Sequence, residues 1–243
     1  MDTYFEEYMG DLFYRIINHY NPDIETVIEL GPGFRTKIAH ALSKINFKGN
    51  LYIIDINKKV IEFVKKEYKR IIPDANIICI QKSLLESIKL LPDKIDLFLS
   101  NHPLDDMMMS LYLKDSSHLA FDNTDKSKEY LYSSWKNLIK NKEKIDMFRH
   151  SIISEFITLF KNIDIDLTVI SQYKSAYYHN LGVDKEVKRN FLKLKSLMNT
   201  NDEKLNEIFD FPIEDFDFAK KKGYSLKENI QNSKNWIVGK YEV

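Results

Sequence analysis

At 243 residues with 44% hydrophobic content, the chain has ample material for a core and is too short for two full domains. Its 36 Lys and Arg balance 36 Asp and Glu, and only Arg15, Arg35, Arg70, Arg149 and Arg189 are arginine, which argues against a surface dedicated to tracking nucleic-acid phosphates. A single cysteine, Cys79, excludes an internal disulfide, no apolar run approaches the roughly 18 residues of a membrane span, and the acidic Asp2, Glu6 and Glu7 stand where a signal peptide would be basic, so a cytoplasmic setting is expected.

Residues 3–20 place Phe5, Tyr8, Met9, Leu12, Phe13, Ile16, Ile17 and Tyr20 at helical spacing, which predicts an amphipathic helix packed on a sheet. Asn21-Pro22-Asp23 ends it. Strands are then expected at 26–30, 50–55, 76–81 and 95–100, with helices at 36–46, 57–70 and 83–90 between them. Strands joined by helical crossovers imply a parallel sheet covered on both faces. Ligands of such sheets bind beyond the carboxyl ends of the strands. Gly31, Asp55, Ser83 and Asn101 all fall on that edge.

The first strand runs into Gly31-Pro32-Gly33 and an amphipathic helix, a turn that lets a ligand approach the backbone and meet the amides of the helix start. Asp55, about 20 residues on, is placed to accept both hydroxyls of a ribose. Regularity breaks at 105–128. Residues 105–113 suggest a short helix, and the stretch after them, rich in Asp, Ser, Asn and Thr, suggests a lid or binding loop. Helical spacing returns at 126–140 and 143–162. The second of these puts Ile145, Phe148, Ile152, Ile153, Phe156, Leu159 and Phe160 on one face. A fifth strand is expected at 166–171, followed by an aromatic loop to Gly182. Residues 184–198 read as a basic helix, either a solvated face or a patch facing RNA. Short helices at 201–222 and a hairpin turning at 231–234 close the chain.

Val27-Ile-Glu-Leu-Gly-Pro-Gly33 resembles the first motif of the class I S-adenosylmethionine-dependent methyltransferases. Leu51-Tyr-Ile-Ile-Asp55 resembles their second motif, Ile95 to Leu104 their fourth strand and catalytic loop, and 223–243 their closing antiparallel hairpin. The resemblance is good over 24–104, fair over 213–243 and poor over 105–212. It implies an α/β fold, a doubly wound, mostly parallel seven-stranded sheet with a C-terminal antiparallel hairpin and a helical insertion or lid. It also implies one domain over 1–243: a cover helix (1–22), a cofactor-binding half (24–104), a variable substrate region (105–212) and a closing helix and hairpin (213–243). The implied cofactor is S-adenosylmethionine, with S-adenosylhomocysteine as product. On the family's pattern Glu29 organises the glycine turn, Gly31, Pro32 and Gly33 carry the methionine end, Asp55 holds the ribose, and Ile56 packs on the adenine. Ser83, with Leu84 beside it, stands near the adenine amine where many members have Asp, and Arg35 stands where many have a third glycine.

Asn101-His-Pro-Leu104 is similar to the Asn-Pro-Pro-Tyr loop of amino-group methyltransferases, in which the Asn side chain and a backbone carbonyl accept hydrogen bonds from the amine. Asn101 and Pro103 are kept. Leu104 lacks the aromatic face that would stack on a nucleobase. His102 is either a general base or a histidine that only hydrogen-bonds within the loop. Asp105 and Asp106 either orient His102, pair with a cationic substrate, or cap the helix that follows; capping is the first choice. Tyr173, Tyr177 and Tyr178 either wall a substrate pocket or pack beneath the lid. No histidine spacing suggests a metal site.

The reading is a methyltransferase acting on a small molecule, an amino or other nitrogen acceptor first. The alternatives are an RNA or protein N-methyltransferase, a non-catalytic cofactor-binding module, and an NAD-dependent oxidoreductase. Glu29, the missing third glycine and the closing hairpin disfavour the last.

Overall fold

The computed structural model describes residues 3–20, 23–114, 120–122, 124–173, 182–209 and 232–241. A first helix, α1 (Thr3–Tyr20), precedes β1 (Thr26–Leu30), α2 (Lys37–Lys44), β2 (Asn50–Ile54), α3 (Lys58–Ile71), β3 (Asn76–Ile80), α4 (Leu84–Ser87) and β4 (Lys94–Asn101). The chain continues through α5 (Pro103–Leu113), α6 (Asp125–Leu138), α7 (Lys142–Asn162), β5 (Asp164–Ser171), α8 (Asp184–Lys195), β6 (Asn199–Thr200), α9 (Asp202–Phe209) and β7 (Trp236–Lys240).

The seven strands form one sheet in the order β3-β2-β1-β4-β5-β7-β6. The first five are parallel to their neighbours, and β7 is antiparallel to both β5 and β6. The outward step from β1 to β3 and the return to β4 on the other side create a switch point between β1 and β4. There the crossover helices diverge and a crevice opens at the carboxyl ends.

Side chains alternate across this sheet, as the pleat requires. Val27, Ile53, Leu97, Leu99, Val169, Trp236 and Val238 enter one core with α1, α2 and α3. Ile28, Ile54, Phe98, Ile170 and Ile237 enter the other with α5, α6, α7 and α8. Burial on both faces explains why the strands read as continuous apolar runs. The apolar stripe expected on 143–162 is the buried face of α7, all seven residues included.

The closing strands differ from expectation in one respect. The outer neighbour of β7 is the two-residue β6, at a point where the sequence offers no strand-like run. The turn at 232–235 is present as a short 3₁₀ segment that Asn232 caps by accepting from the Lys234 amide. The expected hairpin partner at 223–230, and the expected helices over 210–222, lie outside the described residues. None of the described helices is long and apolar enough to cross a membrane.

Candidate functional site

A cavity of about 560 Å³ opens at the carboxyl edge of the sheet, within the usual range of small-molecule sites. Gly31, Pro32, Gly33, Asp55, Ile56, Ser83, Leu84, Asn101, His102, Pro103, Asp105 and Tyr173 all line it. Glu29 does not, and Tyr177 and Tyr178 lie outside the described residues. Residues that sequence reasoning passed over also line it, among them Phe34, Lys37, Phe121 and Glu155.

The glycine turn takes its shape from backbone conformation. Gly31 and Gly33 have φ of +62° and +58°, and a Cβ at either would meet no atom within 4 Å. Glycine is therefore required here for the left-handed backbone, with open space beside it where a ligand can sit. The Gly31 amide donates to the Ile54 carbonyl at 2.9 Å, and Asp55 accepts from the amides of Asn57 (2.8 Å) and Gly33. The end of β2 is thus tied to the turn after β1. Burial lifts the Asp55 carboxyl to about 6 against the pull of those two amides.

The helix start after the turn is organised by Glu6, on α1. Its buried carboxylate accepts from the Thr36 amide at 2.8 Å and from Arg35 at 3.3 Å. Thr36 gives no side-chain cap of its own, so the cap of α2 is supplied from another helix. Arg35 therefore points at α1, where the family's pattern would have a glycine. Glu29 lies beneath the turn, accepting from the Tyr68 hydroxyl at 2.9 Å, with Oε2 unpartnered. Burial, reinforced by Asp55 and Glu6, lifts its carboxyl to about 8 although the Tyr68 hydrogen bond opposes it.

Ser83 and Asp105 both make local contacts that the sequence does not announce. The Ser83 hydroxyl donates to Glu86 at 2.7 Å and accepts the Glu86 amide, a capping box on α4. One lone pair of the hydroxyl oxygen remains for a donor in the cavity that Ser83 lines. Capping of α5 by Asp105 or Asp106 is not what the structure shows for Asp105. Gln172, at the end of β5, accepts from the Leu104 amide at 3.2 Å, while Asp105 turns back to His102 Nδ1 at 2.9 Å.

His102 itself sits at φ +65°, and both ring nitrogens are engaged: Nδ1 by Asp105, Nε2 by the Tyr173 carbonyl at 2.6 Å. Asp105 and the Tyr173 carbonyl are acceptors that favour a ring protonated on both nitrogens, while the Gln172 side-chain nitrogen also lies 3.0 Å from Nδ1. Burial opposes that charge, but Asp105 and the Tyr173 carbonyl outweigh it and raise the pKa to about 9. This favours the second of the two readings, a histidine that hydrogen-bonds within the loop, over the general base. Asn101 accepts from the Ser171 hydroxyl at 2.9 Å, and its side chain also hydrogen-bonds the Tyr173 hydroxyl. Leu104 is fully buried in the core on α5, so that position presents nothing to stack on a base.

The basic run on α8 is partly internal. Lys195 donates to Asp202 at 2.7 Å and to the carbonyls of Ser233 and Trp236, and Arg189 pairs with Glu186 at 3.6 Å. Lys195 is consumed in joining α8 to β7, which reduces the charge left for an RNA.

No family model matches the chain, and no curated protein matches it by sequence. Solved structures do resemble it. The plantazolicin methyltransferase BpumL, in complex with a triazolic desmethylPZN analog and SAH, is 10% identical with a TM-score of 0.45, over 98% of this chain and 86% of that one. NSun6 from Pyrococcus horikoshii with SFG is 14% identical with a TM-score of 0.45, over 79% and 42%. TrmN from Thermus thermophilus is 12% identical with a TM-score of 0.39, over 71% and 40%. The chain thus spans about two fifths of the length of the last two. The order of the seven strands, the antiparallel β7, and the Gly-x-Gly turn tied to a carboxylate at the end of β2 give this chain the fold of the class I methyltransferases.

Proposed function

We propose that the chain is an S-adenosylmethionine-dependent methyltransferase acting on a small molecule, with an amino or other nitrogen acceptor as first choice. The observation that carries this reading is the junction of Asp55 with the Gly31–Gly33 turn on the wall of one cavity. A half-buried carboxylate beside two positive-φ glycines fits a ligand with a sugar diol at one end and a close backbone contact at the other.

In this reading Asp55 accepts from the ribose hydroxyls, Ile56 and Leu84 cover the adenine, and Gly31, Pro32 and Gly33 run along the methionine end. The bound cofactor supplies an electrophilic methyl group. Asn101 Oδ1, already oriented by Ser171, accepts from an N–H of the substrate and aims its lone pair. His102 and Asp105 act as positioning residues: they fix the left-handed start of α5 and the backbone of Tyr173. The neutral net charge and the partly internal α8 run support a small acceptor over RNA.

Calorimetry with S-adenosylhomocysteine and with NAD tests the reading. Binding of the thioether alone, lost in Asp55→Ala, is expected. Binding of NAD alone overturns it.

A further inference from the structure

The site needs a group that takes a proton, and His102 already holds one. Tyr173 follows β5 at the same edge and lines the cavity beside Asn101. Its hydroxyl receives the Lys37 ammonium at 3.1 Å from α2 and the Asn101 side chain from the end of β4. Two N–H donors fill both lone pairs of a neutral phenol, so its own O–H is left for an occupant of the cavity. An ionised phenol would keep a third acceptor site facing the same way.

Lys37 gives the second argument. Its side chain is 5% exposed, and among the described residues no carboxylate lies in ion-pair contact with it. Its ammonium rests over the rings of Phe5 (5.0 Å) and Tyr173 (5.8 Å) and donates to the phenol oxygen. A buried ammonium of this kind favours a negative charge on the oxygen it touches. The His102 ring lies edge-on to Tyr173 at 4.7 Å between centroids and bonds its carbonyl, adding a second positive charge and a rigid mount. Burial raises the phenol's pKa, but Lys37, His102 and Asn101 outweigh it and hold the group below its ordinary value of 10.0.

Resting on the methyltransferase reading above, we propose that Tyr173 is the proton acceptor of the reaction, its phenolate oxygen taking the proton that the acceptor's nitrogen or oxygen sheds. The acceptor's lone pair forms a bond to the methyl carbon. The carbon–sulfur bond breaks with its pair going to sulfur, giving the neutral thioether. The N–H or O–H proton passes to Tyr173 Oη and then to solvent. Lys37 and His102 stabilise the phenolate before the step, and Asp105 balances His102. The acceptor therefore carries a removable proton: it is an arylamine, heteroaromatic N–H or phenol class of substrate, and not a tertiary amine or a thioether.

Two measurements on the full chain test this. Phenolate absorbance at 295 nm, titrated with S-adenosylhomocysteine present, is expected to show one tyrosine ionising ahead of the rest. That step is lost in Tyr173→Phe and moved upward in Lys37→Met. Transfer of labelled methyl from S-adenosylmethionine to a panel of anilines, imidazoles and phenols is expected to fall about 100-fold in kcat in Tyr173→Phe. KM for the cofactor should stay unchanged, and the acidic limb of the kcat profile should disappear. An early ionisation that survives in Tyr173→Phe, or a kcat within threefold of the parent chain, overturns the assignment. Failure of the parent chain to bind the thioether overturns the functional reading instead, and the absorbance titration still decides the state of Tyr173.

Discussion

Asp55 shows how one carboxyl can be both bait and sensor. In the free site it accepts two backbone amides and sits near a pKa of 6, so it is ionised at neutral pH but within reach of protonation. Sugar hydroxyls donate best to the ionised form. Protonation therefore competes with the ligand, and the affinity for S-adenosylhomocysteine is expected to fall as pH drops through about 6, by nearly tenfold per pH unit below it. Asp55→Asn should lose about 10- to 100-fold in affinity at neutral pH, in line with hydrogen bonds to a charged group, and should flatten that dependence. Calorimetry across pH 5 to 8 reads both. Glu29 behaves differently, because its carboxyl is buried beneath the cavity wall. Its folded pKa near 8 exceeds the ordinary 4.5, so the folded chain holds this proton more tightly than the unfolded one. Stability linked to it is fully present below about 4.5 and drains away as pH rises toward 8. Glu29→Gln keeps an acceptor for the Tyr68 hydroxyl and removes the ionisation. The variant should match the parent at acid pH and exceed it by about 4 kcal/mol at pH 8 in chemical denaturation. A variant no more stable at pH 8 than at pH 5, relative to the parent, would show that the buried carboxyl titrates normally.

Among the elements, α1 and α2 carry more of the site than their place in the chain suggests. They approach so closely at Gly10 that an added Cβ would lie 2.7 Å from His40 Cβ and 2.9 Å from the Lys37 carbonyl oxygen. That contact lets Glu6 reach the Thr36 amide and leaves Lys37 buried against Phe5 and Tyr173. Gly10→Ala is expected to cost roughly 1–3 kcal/mol by overpacking. It should also weaken binding of S-adenosylhomocysteine, although residue 10 does not line the cavity, because it pushes Glu6 and Lys37 off the helix start. Glu6→Ala should cost a similar 1–3 kcal/mol by leaving a buried amide unpaired. Urea denaturation and calorimetry on the two variants check both effects. The alternating strands, the glycine turn, Asp55 and Asn101 were legible in the sequence because each depends on local spacing: apolar runs, a Gly-x-Gly, and residues at strand ends. Glu6 was not, because its partner is 30 residues away and a glutamate on an amphipathic helix gives no sign of it. Lys37 and Tyr173 meet across 136 residues, joined only by the order of the strands. The Asp105 reading went astray because an acid in the first turn normally serves the helix, and nothing local announces that Gln172 arrives from β5 to do that work.

At the scale of the whole molecule the cavity is a seam. Its wall takes Asp55 from the end of β2, Gly31 from β1, Asn101 from β4 and Tyr173 from β5, four adjacent strands, with Lys37 added from α2. A ligand lying across that seam ties the two faces of the sheet together in the folded state and has no counterpart in the unfolded chain. By mass action, S-adenosylhomocysteine at 100 times its Kd should add about 2.7 kcal/mol. For a chain of this size that corresponds to a rise in Tm of roughly 5–10 °C. Asp55→Ala should show almost none of the rise, while Ser233→Ala, on the turn before β7 and remote from the cavity, should show all of it. NAD also carries a ribose diol, but its pyrophosphate asks for a close helix N-terminus behind a third glycine, and here Thr36 fills that position while Arg35 points at Glu6. It should leave Tm unmoved at the same concentration. A rise with NAD equal to that with the thioether would mean that the carboxylate grips a sugar as argued but the cofactor class is wrong. A flat response to both would mean that the seam binds something without a ribose, and the role assigned to Asp55 would fall with it.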